Sequence, residues 1–133
     1  MPGKFIDTNV LIYLASNDAS KANRAEEIVA ERGIISVQVL NEIANVARRR
    51  MKFDWSETNQ FLDLLRALVE VHPLTVEVHE AGLALAERYG LSIYDAMIVA
   101  SALQADCETL YSEDRQNGMR IDGRLTIVNP FTA

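Results

Sequence analysis

Residues 4–16 read Lys4-Phe5-Ile6-Asp7-Thr8-Asn9-Val10-Leu11-Ile12-Tyr13-Leu14-Ala15-Ser16. Lys4-Phe5-Ile6 is a short apolar run of strand type. Thr8 to Ser16 continue as a helix, with one acid, Asp7, between the two. A strand that passes directly into a helix opens a β-α unit, and the alternation recurs outward along the chain. Ser20 to Arg32 has helical period and stops at Gly33. Ile34-Ile35-Ser36 is brief and β-branched, hence a strand. Val37 to Met51 returns to helical period. Ser56 to Val69 follows as a helix, with Ser56 expected at its N-cap and Glu57 in its first turn. Val71 to Leu74 is a short strand that Pro73 confines to the neighbourhood of an edge. Thr75 to Tyr89 is a helix ended by Gly90, and Ser92 to Gln104 is another. Glu108 to Ser112 and Leu125 to Val128 complete the strands.

Short strands separated by helices specify an α/β fold with a mostly parallel central sheet, since the helices supply the crossovers that parallel neighbours need. In open sheets of this kind ligands bind beyond the carboxyl ends of the strands. The chain of 133 residues suits a single domain, 1–133. Its 49% hydrophobic and 24% charged residues are those of an ordinary folded protein. A net charge of −6 excludes a protein that coats nucleic acid by charge alone. An anionic substrate must therefore be met locally, by a basic patch or a bound cation. The single cysteine, Cys107, cannot form an intramolecular disulfide and reads as a small inert residue. The N-terminus lacks the apolar core of a signal peptide, and the longest apolar stretch, Val10 to Ala15, is far short of the roughly 20 residues of a membrane span. A cytoplasmic location with no membrane contact is expected.

Four acids follow or face the strand ends. Asp7 comes directly after the first strand, and Asp114 just after the strand Glu108 to Ser112, preceded by Glu113. If those strands are parallel and central, Asp7 and Asp114 project from one sheet edge. Each also has a plain structural role open to it: Asp7 as a helix N-cap, Asp114 as a solvated turn residue before Gly118. Asp95 stands three residues after Ser92, the spacing of a capping box. It also begins a helix that is apolar on nearly all sides, where a carboxylate needs a partner. Glu42 lies at the edge of the apolar sector formed by Val39, Ile43, Val46 and Ala47, near Gln38, Asn45 and Arg49, and a boundary Glu is ordinarily solvated. Together the four suggest a hard-cation site, because Mg²⁺ and Mn²⁺ take carboxylate oxygens. One Cys and two His do not suit a soft metal, and His72 and His79 read as surface or packing residues.

The ordered set resembles the PIN domain family. Phe5-Ile6-Asp7-Thr8-Asn9-Val10-Leu11-Ile12-Tyr13 is similar to its opening motif. Ser36-Val37-Gln38-Val39-Leu40-Asn41-Glu42 is similar to its second and Ser92-Ile93-Tyr94-Asp95-Ala96 to its third. Leu110-Tyr111-Ser112-Glu113-Asp114 is similar to its fourth, and Ile127-Val128-Asn129-Pro130-Phe131 to its usual ending. Size and ending are most similar to VapC-type toxins of toxin–antitoxin pairs. The resemblance implies a three-layer α/β/α domain and a metal-dependent endoribonuclease. It carries the catalytic and metal-ligand roles onto Asp7, Glu42, Asp95 and Asp114. It gives Asn9 the task of orienting Asp7 and sets Ser36 on the site lining, with Thr8 and Glu113 in support. It also implies a homodimer and a cognate antitoxin, bound by the helical arm and placing an Arg in the acidic site.

Physical chemistry agrees with that implication. Clustered carboxylates repel one another and RNA phosphate. One or two Mg²⁺ (or Mn²⁺) ions would neutralise them, acidify a water and stabilise charge on the scissile phosphate. Hydrolysis by that water leaves 5′-phosphate and 3′-hydroxyl ends. Arg48-Arg49-Arg50 and Lys52 end the helix that carries Glu42. They are suited to the helix C-terminus and equally to the RNA backbone, with Arg115 and Arg120 as further RNA contacts. With four acids assigned to one site, the remainder of the chain carries −2. The competing expectation is a non-catalytic PIN-fold module or a phospho-acceptor receiver. A receiver needs an acidic pair after the first strand and a Lys near the last, whereas here one Asp stands at the first strand and no Lys follows Lys52.

Overall fold

The computed structural model describes residues 3–132; Met1, Pro2 and Ala133, the ends of the expected domain, lie outside the described residues. The strands are β1 (Gly3–Ile6), β2 (Ile34–Ser36), β3 (Glu70–His72), β4 (Cys107–Tyr111), β5 (Arg120–Ile121) and β6 (Leu125–Val128). The helices are α1 (Thr8–Leu11), α2 (Ala19–Ala30), α3 (Val37–Arg49), α4 (Trp55–Leu68), α5 (Val76–Tyr89) and α6 (Ile93–Gln104). The helix expected over Thr8–Ser16 is divided, with α1 tightening into a 3₁₀ segment over Ile12–Ala15.

The sheet order is β3-β2-β1-β4-β6-β5. β1 pairs in parallel with β2 and β4, β2 with β3, and β4 with β6. Only β5 runs antiparallel, against β6. β3 is the edge strand that Pro73 requires. This order differs from the 2-1-3-4-5 arrangement of the receiver fold and removes that alternative. Phe5 and Ile6 are adjacent in β1 and both 0% exposed. Successive strand residues face opposite sides, so both faces of the sheet are covered, and the helices form the outer layers of an α/β/α sandwich. Ile35, Leu110 and Ile127 from the neighbouring strands share this core with Ile98 and Val99 of α6.

Local chemistry sets the boundaries. α2 is capped by Asp18, whose side chain accepts from Lys21 N. α4 begins two residues earlier than expected. Asp54, not Ser56, is its N-cap, in a full capping box with Glu57. Thr75 caps α5, which closes on Gly90 at φ +69. Gly82 lets α5 and α6 approach, since a Cβ there would lie 2.7 Å from Met97 Cε. The strand order reverses between the parallel neighbours β1 and β4: β1 leads to β2 and β3 on one side, β4 to β6 on the other. The crevice beyond the carboxyl ends of β1 and β4 is thus the topological switch point.

Candidate functional site

Asp7 leaves the end of β1 with its amide donating to Tyr111 O at 2.9 Å, which continues the ladder with β4. Its carboxylate is 2% exposed and its two oxygens divide the work. Oδ1 accepts from Thr8 N at 2.7 Å, the N-cap role. Oδ2 accepts from Ser112 Oγ at 2.9 Å and Asn9 Nδ2 at 3.4 Å, and meets the guanidinium of Arg115. Ser112 is fully buried at the end of β4. Asn9 also donates to Ser112 Oγ at 3.3 Å and accepts from Glu113 N at 3.0 Å through Oδ1, which ties the ends of β1 and β4 together.

Asp95 arrives from the first turn of α6. Its amide donates to Ser92 Oγ at 3.2 Å, half of the expected capping box. The carboxylate does not return to the cap. Asp95 Oδ1 accepts from Arg115 Nη2 at 2.5 Å, so one guanidinium bridges Asp7 and Asp95. The Asp95 side chain is 46% exposed, whereas Ala96 to Leu103 behind it are buried. Burial pushes the Asp95 carboxyl above its ordinary value against the Ser92 hydrogen bond, and the charges of Glu42 and Asp114 push it further. A cation relieves that repulsion.

Arg115 supplies it from a side chain only 10% exposed. Burial lowers its pKa to about 10, which leaves it cationic at neutral pH. Nη1 also donates to Ser112 Oγ at 3.2 Å, while Nε is buried without a partner among the described residues. Glu42 stands beside this centre on α3, accepting from Thr8 Oγ1 at 2.5 Å and Gln38 Nε2 at 2.9 Å. A cavity of about 230 Å³ opens here, lined by Asp7, Thr8, Asn9, Asp95, Asp114 and Arg115, with Arg50 at its wall. Asp114 is exposed and makes no ion pair among the described residues.

The four acids named from sequence thus fall into two arrangements. Asp7, Asp95 and Asp114 line one cavity; Glu42 is turned onto Thr8 and Gln38 next to it. No three Asp, Glu, His or Cys side chains among the described residues lie close enough to share an ion. The donor set nevertheless fits a divalent cation in chemistry: hard carboxylate oxygens from two separate elements already converge on one positive charge. Ser36 is fully buried at the end of β2, its Oγ unpartnered, and it does not line the cavity. Glu113 points away. It accepts from Tyr13 OH and Lys21 Nζ, each at 2.5 Å. Arg115, expected on RNA, is engaged by Asp7 and Asp95. Arg120 reaches Thr126 Oγ1 at 3.3 Å and the carbonyl of Gly123.

Arg48 donates to Phe53 O at 2.8 Å and stacks 4.2 Å from the Trp55 ring. Arg49, Arg50 and Lys52 are exposed and form no ion pair among the described residues. Cys107 is buried, its thiol pushed up to about 11 chiefly by that burial. His72 is half-buried 3.3 Å from Glu70, and His79 is exposed. Sequence reasoning missed Ser112 as the donor to Asp7 and Arg115 as the bridge. The only prior signal for either was its place in the motif around Asp114.

The comparisons bear on the family and the fold. The family model described as PIN domain matches residues 4–120. No curated protein matches the chain significantly in sequence. Among solved structures, a toxin–antitoxin complex from Klebsiella pneumoniae superposes with a TM-score of 0.74 at 22% identity, covering 98% of this chain and 99% of that one. VapC20 of Mycobacterium tuberculosis, described as a sarcin–ricin loop cleaving toxin, gives 0.69 at 19% identity over 84% of this chain and 89% of that one. The DNA-bound VapBC of Salmonella typhimurium gives 0.67 at 19% identity over 96% and 97%. At these identities the likeness is one of fold. With a family model spanning β1 to β5 and the acids set at the carboxyl ends of β1 and β4, the chain belongs to the PIN domain family.

Proposed function

We propose that this protein is a divalent-metal-dependent endoribonuclease and the toxin of a toxin–antitoxin pair. The observation that carries the reading is the convergence of Asp7 and Asp95, from β1 and α6, on one cation at the switch point of the sheet. Asp7, Asp95 and Asp114 would hold Mg²⁺ or Mn²⁺, with Glu42 entering from α3. One or two such ions, when bound, lower the pKa of water and stabilise negative charge on a scissile phosphate.

The protein's own residues prepare the site. Ser112 and Asn9 fix Asp7 Oδ2, and Thr8 N holds Oδ1, so the carboxylate has one orientation. Thr8 and Gln38 hold Glu42 at the rim. Arg49, Arg50 and Lys52 offer positive charge to the RNA backbone, with Arg50 reaching the cavity wall. No Lys, His or Cys lines the cavity among the described residues. We therefore assign the attack to water rather than to a protein nucleophile.

The Klebsiella, Rickettsia felis and Salmonella neighbours are complexes of toxin with antitoxin, and VapC20 is a toxin that cleaves the sarcin–ricin loop. These support an antitoxin partner and an RNA substrate for this chain; the homodimer rests on the family resemblance alone. None of its helices is long and apolar enough to cross a membrane among the described residues, in keeping with action in the cytoplasm. The second reading, a PIN-fold module without catalysis, draws on the guanidinium that occupies the acids.

The test is cleavage of total RNA by the purified protein with Mg²⁺ or Mn²⁺. Activity should vanish in EDTA, return with Mn²⁺, and leave 5′-phosphate and 3′-hydroxyl ends. Cleavage that persists in EDTA, or products ending in 2′,3′-cyclic phosphate, would overturn the proposal.

A further inference from the structure

Asp7 and Asp95 are joined by a cation from their own chain. Arg115 sits one residue beyond Asp114, its side chain is 10% exposed, and it contacts Asp7 Oδ2 and Asp95 Oδ1 together. A divalent ion shared between the two carboxylates would need the position that the guanidinium holds. A guanidinium and a metal ion cannot both sit there, so binding of one opposes the other. We propose that Arg115 is the resident counter-cation of the acidic site, which a divalent ion must displace in order to load. This inference rests on the metal-dependent reading and adds its regulation.

Three observations argue that the arrangement is a competitor for the site rather than a permanent strut. Charge is under-matched, since one guanidinium faces two carboxylates, with Asp114 on the same cavity and Glu42 next to it. A dication answers that excess better than a monocation. Arg115 is also imperfectly housed, because its Nε is buried with no acceptor among the described residues. A permanent buried ion pair normally satisfies every donor. Finally, the backbone around it is independently anchored. Glu113 is held by Tyr13 and Lys21 through its side chain and by Asn9 through its amide. The side chain of Arg115 can leave without the turn coming apart.

The consequence is a threshold. Metal must overcome the Arg115 contacts before it reaches the acids, so the wild-type site loads at a higher ion concentration than its carboxylates alone would require.

Calorimetric titration of the full-length protein with Mn²⁺, in the absence of RNA, tests this. Arg115→Gln should bind Mn²⁺ with a Kd about 5- to 150-fold lower than wild type, the usual span of coupling between two sites. Arg115→Lys, which keeps the charge, should stay near wild type. In the wild type itself, the Arg115 Nε–Hε signal in ¹⁵N NMR should move as Mg²⁺ is added, with the midpoint of metal binding. This arm does not depend on any variant folding. Equal or weaker Mn²⁺ binding by Arg115→Gln, or an Arg115 signal that stays fixed while Mg²⁺ binds, would overturn the inference and leave the metal-dependent reading standing. If no protein binds Mn²⁺ at millimolar concentration, that reading fails and the inference with it.

Discussion

Glu113 and Asp114 are neighbours with opposite surroundings. Asp114 lines the acidic cavity, whereas Glu113 turns back to Tyr13 and Lys21. The family resemblance gives the ligand role to Asp114 and a supporting one to Glu113; the hydrogen bonds show that Glu113 turns away from the cavity. Burial pushes the Glu113 carboxyl up, but the bonds from Lys21 and Tyr13 outweigh it and the net pKa falls below 4.5. A lowered carboxylate pKa adds stability that is complete above the unfolded value and disappears as pH falls through the folded value. Glu113→Gln should therefore unfold at lower urea than wild type at pH 7. The gap should close as pH drops below about 4.5, through the lowered pKa of Glu113. A gap unchanged in acid would mean that Glu113 acts through packing rather than charge. Asp7 teaches the same lesson from the other side. Its cap role and its site role are alternatives in the sequence; Oδ1 takes the cap, while Oδ2 faces Ser112 and Arg115, where the proposed site lies.

The elements were legible wherever a pattern is local. Strands at β1, β2, β3, β4 and β6, and all six helices, follow from apolar period together with Gly33, Pro73 and Gly90 as punctuation. Two errors have physical causes. β5 is only Arg120–Ile121, too short for an apolar run, and it exists because a turn returns it onto β6. Ser56 is a favoured cap residue followed directly by an acid, Glu57, which puts the expected start of α4 there. Asp54 is an equally good cap, and its spacing of three to Glu57 completes the capping box that Ser56 cannot form. Asp54→Ala should cost about 1 kcal/mol, the usual value of an N-cap acid. Ser56→Ala, at an exposed position that only accepts a 3.3 Å bond from Gln60, should stay within about 0.5 kcal/mol of wild type. Chemical denaturation of the two variants checks the assignment, and equal losses would refute it.

Across the whole molecule, the approach of Asp7 and Asp114 was legible because β1 and β4 pair in parallel, and both line one cavity, whereas Glu42 turns onto Thr8 and Gln38. The guanidinium between Asp7 and Asp95 was not legible. Arg115 lies 108 residues from Asp7 and 20 from Asp95, and only the packing of α6 against β4 brings the three together. Nothing periodic in a sequence encodes such a meeting. The distribution of charge follows the same logic. The acidic cavity sits at the switch point, while the exposed bases Arg49, Arg50 and Lys52 gather at the end of α3, with Arg50 between them and the acids. A chain of net charge −6 can on this account still grip RNA. The central claim is that Asp7 anchors metal-dependent RNA cleavage. Its most direct test is the rate of RNA cleavage by Asp7→Asn beside wild type in saturating Mn²⁺, with folding of both checked by circular dichroism. The account predicts a loss of at least about 100-fold, the scale on which removing one group that stabilises the transition state acts. Equal rates from two folded proteins would contradict it.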